Sequence, residues 1–105
     1  MNKLLITAAI LISFTTAANA DCGKLTIAEY DWSSGAFFAY LDKAILEKAY
    51  GCEVSMIPGS TVAVATSLRE KGKPDIASEV WASTVKDLVD AAISEGTATI
   101  ANPEP

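Results

Sequence analysis

The sequence predicts an α/β domain built on a parallel sheet. Two observations lead there. Short apolar stretches of strand character alternate with longer stretches of helical period, in the order strand, helix, strand, helix, strand, helix. A glycine (Gly51, Gly72, Gly96) closes each helical stretch, so the chain can turn back across the sheet after every helix in right-handed crossovers.

The first strand is read from Lys24 to Tyr30, where Leu25 and Ile27 alternate with polar positions. The first helix is expected over 35–50, with Ser33 or Ser34 as its N-cap and Phe38, Leu41, Ile45 and Ala49 on its apolar face. A second strand follows over Cys52–Ile57 and stops at Pro58-Gly59. Ser60 caps the second helix, which runs to about Lys71 with Val62, Ala65 and Leu68 on one face, and Gly72-Lys73-Pro74 breaks it. A third strand is expected over Asp75–Val80. A third helix, capped by Ser83 or Thr84, then runs to Ser94 and presents Val85, Leu88, Val89, Ala92 and Ile93. Thr97–Ala101 is a candidate fourth strand, and Asn102–Pro105 reads as a terminal tail. No internal repeat or low-complexity tract interrupts the pattern.

The first twenty residues read as a cleaved signal peptide. Lys3 starts a weakly positive region, Leu4 to Phe14 is an apolar run, and Ala18-Asn19-Ala20 is a small-x-small cleavage site. The apolar run is well short of the ~20 residues that a spanning helix needs. The expected folded unit is therefore 21–105. Losing Lys3 takes the formal charge from −5 to about −6, which argues against nucleic acid or an anionic membrane surface as partner.

Two cysteines, Cys22 and Cys52, occur in a chain addressed to an oxidising compartment, and an even count there favours a disulfide. If the first two strands are parallel neighbours, both cysteines lie at the amino ends of those strands, on one edge of the sheet. Lipid attachment at Cys22 is the rival use, and Asp21 directly before it makes a poor lipobox. Histidine is absent from the sequence, which excludes Ser-His-Asp and Cys-His catalysis and leaves no metal site in view. No catalytic residue and no cofactor is expected.

Trp32 and Trp81 each follow the carboxyl end of a predicted strand, the first and the third. Ligands of open parallel sheets bind at that end. With strand order 2-1-3 the two indoles rise from one rim, where the helices beginning near Ser34, Ser60 and Thr84 also open. Two aromatic faces suit a quaternary ammonium group, which attracts π-density and cannot donate a hydrogen bond. The alternative is that each Trp covers the top of a small core.

The stretches "CGKLTIAEYDWSSGAF" and "ILEKAYGCEVSMIPGSTVAVATSLREKGKPDIASEVW" carry a resemblance. The chain resembles the substrate-binding proteins of ABC transporters for glycine betaine, choline and related quaternary amines, over Cys22 to about Ala101. The resemblance implies a periplasmic protein of two lobes that closes on its ligand and docks on membrane permease subunits, here as an expected monomer. The chain then corresponds to an N-terminal fragment, an incomplete first lobe. Trp32 and Trp81 match positions where the family places cage tryptophans. Choline-preferring relatives carry an acidic residue two positions after the first Trp, to meet the ligand hydroxyl; Ser34 stands there, which favours betaine-like ligands. Thr61 matches a cleft-facing loop position. Two other readings compete: an exported truncated fragment that binds nothing, and a small secreted α/β enzyme, against which the missing histidine and G-x-S-x-G elbow count.

Overall fold

A computed structural model describes residues 22–101; the expected signal peptide and the expected tail lie outside them. The described chain is α/β. In order it forms β1 (Lys24–Glu29), α1 (Ser33–Tyr50), β2 (Glu53–Pro58), α2 (Thr61–Lys71) and α3 (Lys86–Ser94). Strands β1 and β2 are parallel, in register from Lys24 opposite Glu53 to Glu29 opposite Pro58.

The expected third strand is reduced to one bridge, in which Ile76 pairs in parallel with Ile27 on the outer side of β1. The Ala28 N–H donates to the Ile76 carbonyl (2.9 Å), and the Ile76 N–H donates to that of Thr26 (3.0 Å). The order 2-1-3 is thus realised with a third member one residue long. Side chains account for the shortening. Asp75 anchors the segment by accepting from the Thr26 N–H and hydroxyl, both at 2.8 Å. Its carboxyl is held down at about 2, first by the hydrogen bond from Lys73 and then by Thr26. Beyond Ile76 the chain leaves the ladder because Ser78 donates to Asp42 of α1 (2.5 Å) and Glu79 turns towards Ser34. The expected fourth strand does not form: Thr97–Ala101 is irregular, with the Thr97 and Ala98 N–H groups bonding back to the Ala92 carbonyl.

Both faces of β1 are covered, as a parallel strand requires. Ile27 packs with Ala39, Cys52 and Val54, joined by Leu25, Leu46 and Met56. Ala28 and Tyr30, of opposite parity, pack with Val64, Leu68 and Ala77. α1 therefore lies on one face and α2 on the other.

The helix caps differ in part from expectation. Ser60 does cap α2, accepting from the Ala63 N–H (3.3 Å), and Gly51 and Gly72 close α1 and α2 in left-handed conformations, φ 68° and 60°. α1, however, starts at Ser33 with Trp32 as N-cap, and α3 starts at Lys86 with Val85 as N-cap; neither has a side-chain cap. Ser34 lies in the first turn of α1 with its hydroxyl on Glu79, and Thr84 lies ahead of α3 in a turn closed by its N–H on the Trp81 carbonyl (2.9 Å).

The inward face of α1 also differs. Gly35 and Ala39 are its buried residues, with Leu46 partly buried on the same stripe. Small side chains there let the helix approach the sheet closely. The expected stripe of Phe38, Leu41, Ile45 and Ala49 is exposed, as are Phe37 and Tyr40. On α2, Val64 and Ala65 are inside and Val62 is outside.

Cys22 and Cys52 form a disulfide with Cα atoms 4.6 Å apart. It ties the amino ends of β1 and β2, at the edge of the sheet opposite the tryptophans.

Candidate functional site

β1 ends at Glu29, and the next residues build one wall of a pocket at the carboxyl rim. Tyr30 is buried, 2% exposed, on the α2 side of the sheet. Two residues on, the Trp32 indole stacks on the Tyr30 ring with centroids 4.2 Å apart and an interplanar angle of 27°, an offset geometry that aromatic pairs favour. Trp81 comes from the turn after the Ile76 bridge and is 59% exposed. Trp32, Thr61, Trp81 and Thr84 together line one open pocket of about 160 Å³.

Glu79 links the two tryptophans. Its Oε1 accepts from the Trp81 Nε1–H at 2.8 Å, from the Ser34 hydroxyl at 3.1 Å and from the Trp32 Nε1–H at 3.4 Å. The hydrogen bond from Trp81 is the first cause that holds the Glu79 carboxyl below the usual carboxylate range; desolvation opposes it, and Ser34 and Trp32 add to it. The carboxylate is therefore charged at neutral pH. Its other oxygen, Oε2, and the Tyr30 hydroxyl are both shielded from solvent and lack hydrogen-bond partners among the described residues. Burial, with the Glu79 charge second, pushes the Tyr30 phenol up to about 12, so it stays neutral.

Of the residues singled out from sequence, Trp32, Trp81 and Thr61 line the same pocket. Thr61 is the first residue of α2 and not part of a loop. Ser34 does not line the pocket; its hydroxyl is committed to Glu79. Sequence reading placed Thr84 on this rim only as a helix start, and did not assign Glu79 or Tyr30 to the site. Tyr30 was legible in principle, since it shares strand parity with Ala28 and with Trp32 beyond it. Glu79 meets Ser34 across 45 residues, a proximity that no local period encodes. No group of His, Cys, Asp or Glu among the described residues is arranged to hold a metal ion.

Gly35 sets the position of the Trp32 ring. A Cβ at this residue would lie 2.7 Å from Trp32 Nε1, 2.8 Å from Cε2 and 2.9 Å from the Tyr30 Cβ. An Ala within a helix is ordinarily the better residue by roughly 0.5–1 kcal/mol. Here the sign reverses. Gly35→Ala is expected to destabilise the chain by about 1–3 kcal/mol through overpacking and to push the Trp32 indole off Glu79. Urea unfolding followed by circular dichroism, with tryptophan emission recorded on the folded variant, checks both effects.

The family model of the substrate binding domain of ABC-type glycine betaine transport system (OpuAC) matches residues 23–104. No curated protein matches the chain.

Proposed function

Because the chain belongs to the family of substrate-binding domains of ABC-type glycine betaine transport systems, we propose that it captures a quaternary amine such as glycine betaine between Trp32 and Trp81. The family assigns it a substrate-binding role in an ABC importer, working with permease subunits. The observation that carries the finer reading is the convergence of both indoles on one open pocket and one carboxylate.

A trimethylammonium group lowered into that pocket meets π-faces and the negative field of Glu79. Each desolvated cation–π contact contributes about 2 kcal/mol. The methylated nitrogen sheds water readily because it has no N–H to leave unpaired, whereas a primary ammonium would lose its hydration without regaining hydrogen bonds from the rings. Thr61 and Thr84 bring hydroxyls to the pocket wall for a polar end of the ligand. Delivery follows from lobe closure and docking on a permease, on the periplasmic side, by a chain whose signal peptide has been removed. None of the described helices is long and apolar enough to cross a membrane.

Residues 21–105 act in this reading as an incomplete first lobe. The exposed face of α1 supports it: Phe37 is 62%, Tyr40 50%, Ile45 47% and Tyr50 62% exposed. A helix apolar on nearly every side is one that expects cover on more than one, and a further layer of the lobe is what would cover it.

Trp32 and Trp81 are the two tryptophans of the sequence, so tryptophan emission, excited at wavelengths where the tyrosines do not absorb, reports on this pocket. Titration with glycine betaine is expected to change the emission saturably, and choline to act more weakly. Unmethylated glycine, with the same carboxylate and charge, is expected to leave it unchanged. Equal responses to glycine betaine and glycine, or none to either quaternary amine, would remove the quaternary-amine assignment.

A further inference from the structure

Glu79 makes three hydrogen bonds through one oxygen, and two of its donors are the pocket's indoles. That is an unusual use of a carboxylate. We infer that Glu79 is the positioning residue of the aromatic pair: it fixes the orientation of both rings and places a negative charge at their N–H edges. The functional consequence rests on the reading of this pocket as a quaternary-amine site; the positioning itself does not.

The two rings depend on Glu79 unequally. Trp32 has other supports: it stacks on Tyr30, adjoins Gly35 and packs beside Val64 and Leu68. Its bond to Glu79 is the long one, at 3.4 Å. Trp81 is more than half exposed, and its indole N–H donates to Glu79 at 2.8 Å. Without Glu79, Trp81 gains rotamer freedom that ligand binding must then remove, at a cost of several-fold in affinity.

The charge acts on the rings as well. A hydrogen bond from an indole N–H to an anion polarises the ring, which raises the electron density that a cation meets on the π-face. The groups facing Glu79 are Ser34 from the start of α1, Tyr30 from the end of β1, and Trp81 and Trp32; Tyr30 is the titratable one among them and is neutral. No described cation bonds to the carboxylate. It therefore remains a negative charge without a cationic partner among the described residues, beside the two rings and suited to a permanently cationic head.

The indole N–H signals of the two tryptophans in nitrogen–proton correlation spectra test this on the chain as it stands. In the native sequence both signals are expected to shift together on acidification, with one midpoint below the ordinary carboxyl range. Glu79→Gln keeps an acceptor oxygen and removes the charge, so both signals stay dispersed and lose that shared pH response. Glu79→Ala is expected to move the Trp81 signal to the position of a water-exposed indole and leave Trp32 largely in place. Methyl signals of Ile27 and Val54 report whether the core has kept its fold; if Glu79→Ala unfolds, the Gln variant still decides the matter. Indole signals in the native chain that ignore pH, or a Trp81 signal unmoved in a folded Glu79→Ala chain, would overturn the inference. Affinity for glycine betaine is expected to fall several-fold, up to about tenfold, in Glu79→Ala. Concerted indole shifts with no betaine binding would keep the positioning role and overturn the ligand reading. Betaine binding of native strength in a Glu79→Ala chain with a released Trp81 would overturn the functional consequence drawn here.

Discussion

Replacing Cys22 and Cys52 by serine is expected to lower folding stability by about 3–4 kcal/mol. The bridge spans 30 residues, and in the chain-entropy account a loop of that length removes about this much freedom from the unfolded state. The effect is large against its background. A single core in a chain of this size rarely supplies more than roughly 3–5 kcal/mol, and several of the bulkiest apolar side chains of α1 contribute little to it because they face solvent. Reduction of the native chain should have the same consequence as the double substitution. Urea unfolding followed by far-ultraviolet circular dichroism, with and without a thiol reductant, measures it. A shift below about 1 kcal/mol would mean that β1, β2 and the two helices flanking them hold the amino ends together unaided.

The second large effect concerns the pocket. Trp81→Ala is expected to weaken glycine betaine binding by about 2 kcal/mol, or roughly thirtyfold in Kd, with little change in stability. The ring is 59% exposed, so its removal leaves no cavity. Trp32→Ala is expected to weaken binding as much and also to destabilise the chain, since it takes away the Tyr30 stack and part of the packing around Ala28 and Val64. Trp81→Phe separates two contributions. It keeps a π-face and loses the N–H that donates to Glu79, so its affinity should fall between those of the native and Ala chains. Calorimetric titration of the three variants makes the comparison. Native affinity in a folded Trp81→Ala chain would exclude that ring from the site.

Much of the layout could be read directly from the residues. The α/β class, the parallel β1–β2 pair, the Ser60 cap and the glycine stops of α1 and α2 follow from local rules of period and turn chemistry, and they reappear in the structure. The failures have a common cause. "DIASEV" has the composition of a strand, yet Asp75, Ser78 and Glu79 are each claimed by partners remote in sequence, on β1 and α1. The Asp75 bonds hold the start of the segment on β1, and the Ser78 and Glu79 bonds to α1 turn it out of the sheet after one bridge. Ser33, Ser34, Ser83 and Thr84 were attractive caps by type, but tertiary contacts redirected Ser34 and the turn at 81–85 redirected Thr84. In α1 two apolar stripes run side by side, and periodicity selects the bulkier one. Close packing on the sheet selected the smaller, with Gly35 and Ala39. A hydrophobic pattern shows that a helix has apolar faces, not which of them a neighbour will occupy.

The site divides in the same way. The two tryptophans stood out because each follows a strand end, a position defined by local sequence. Their link through Glu79 is a product of the completed fold. Sequence reading gave the acid/base character of position 34 some weight in choosing between ligands, and the structure shows Ser34 bonded to the very carboxylate that serves both indoles. The negative charge sits at position 79, at the N–H edges of the two indoles, and not two residues beyond the first Trp.

Proton-to-proton transfer between bound ligand and protein addresses the core of the account. With glycine betaine in the pocket, irradiating its N-methyl protons should transfer magnetisation to ring protons of both Trp32 and Trp81 in one complex, and the transfer should vanish on competition with an excess of glycine betaine whose methyl groups are deuterated. Transfer to neither indole, or to Trp32 alone in a chain whose Trp81 can be removed without loss of binding, would contradict a methylated nitrogen held between the two rings.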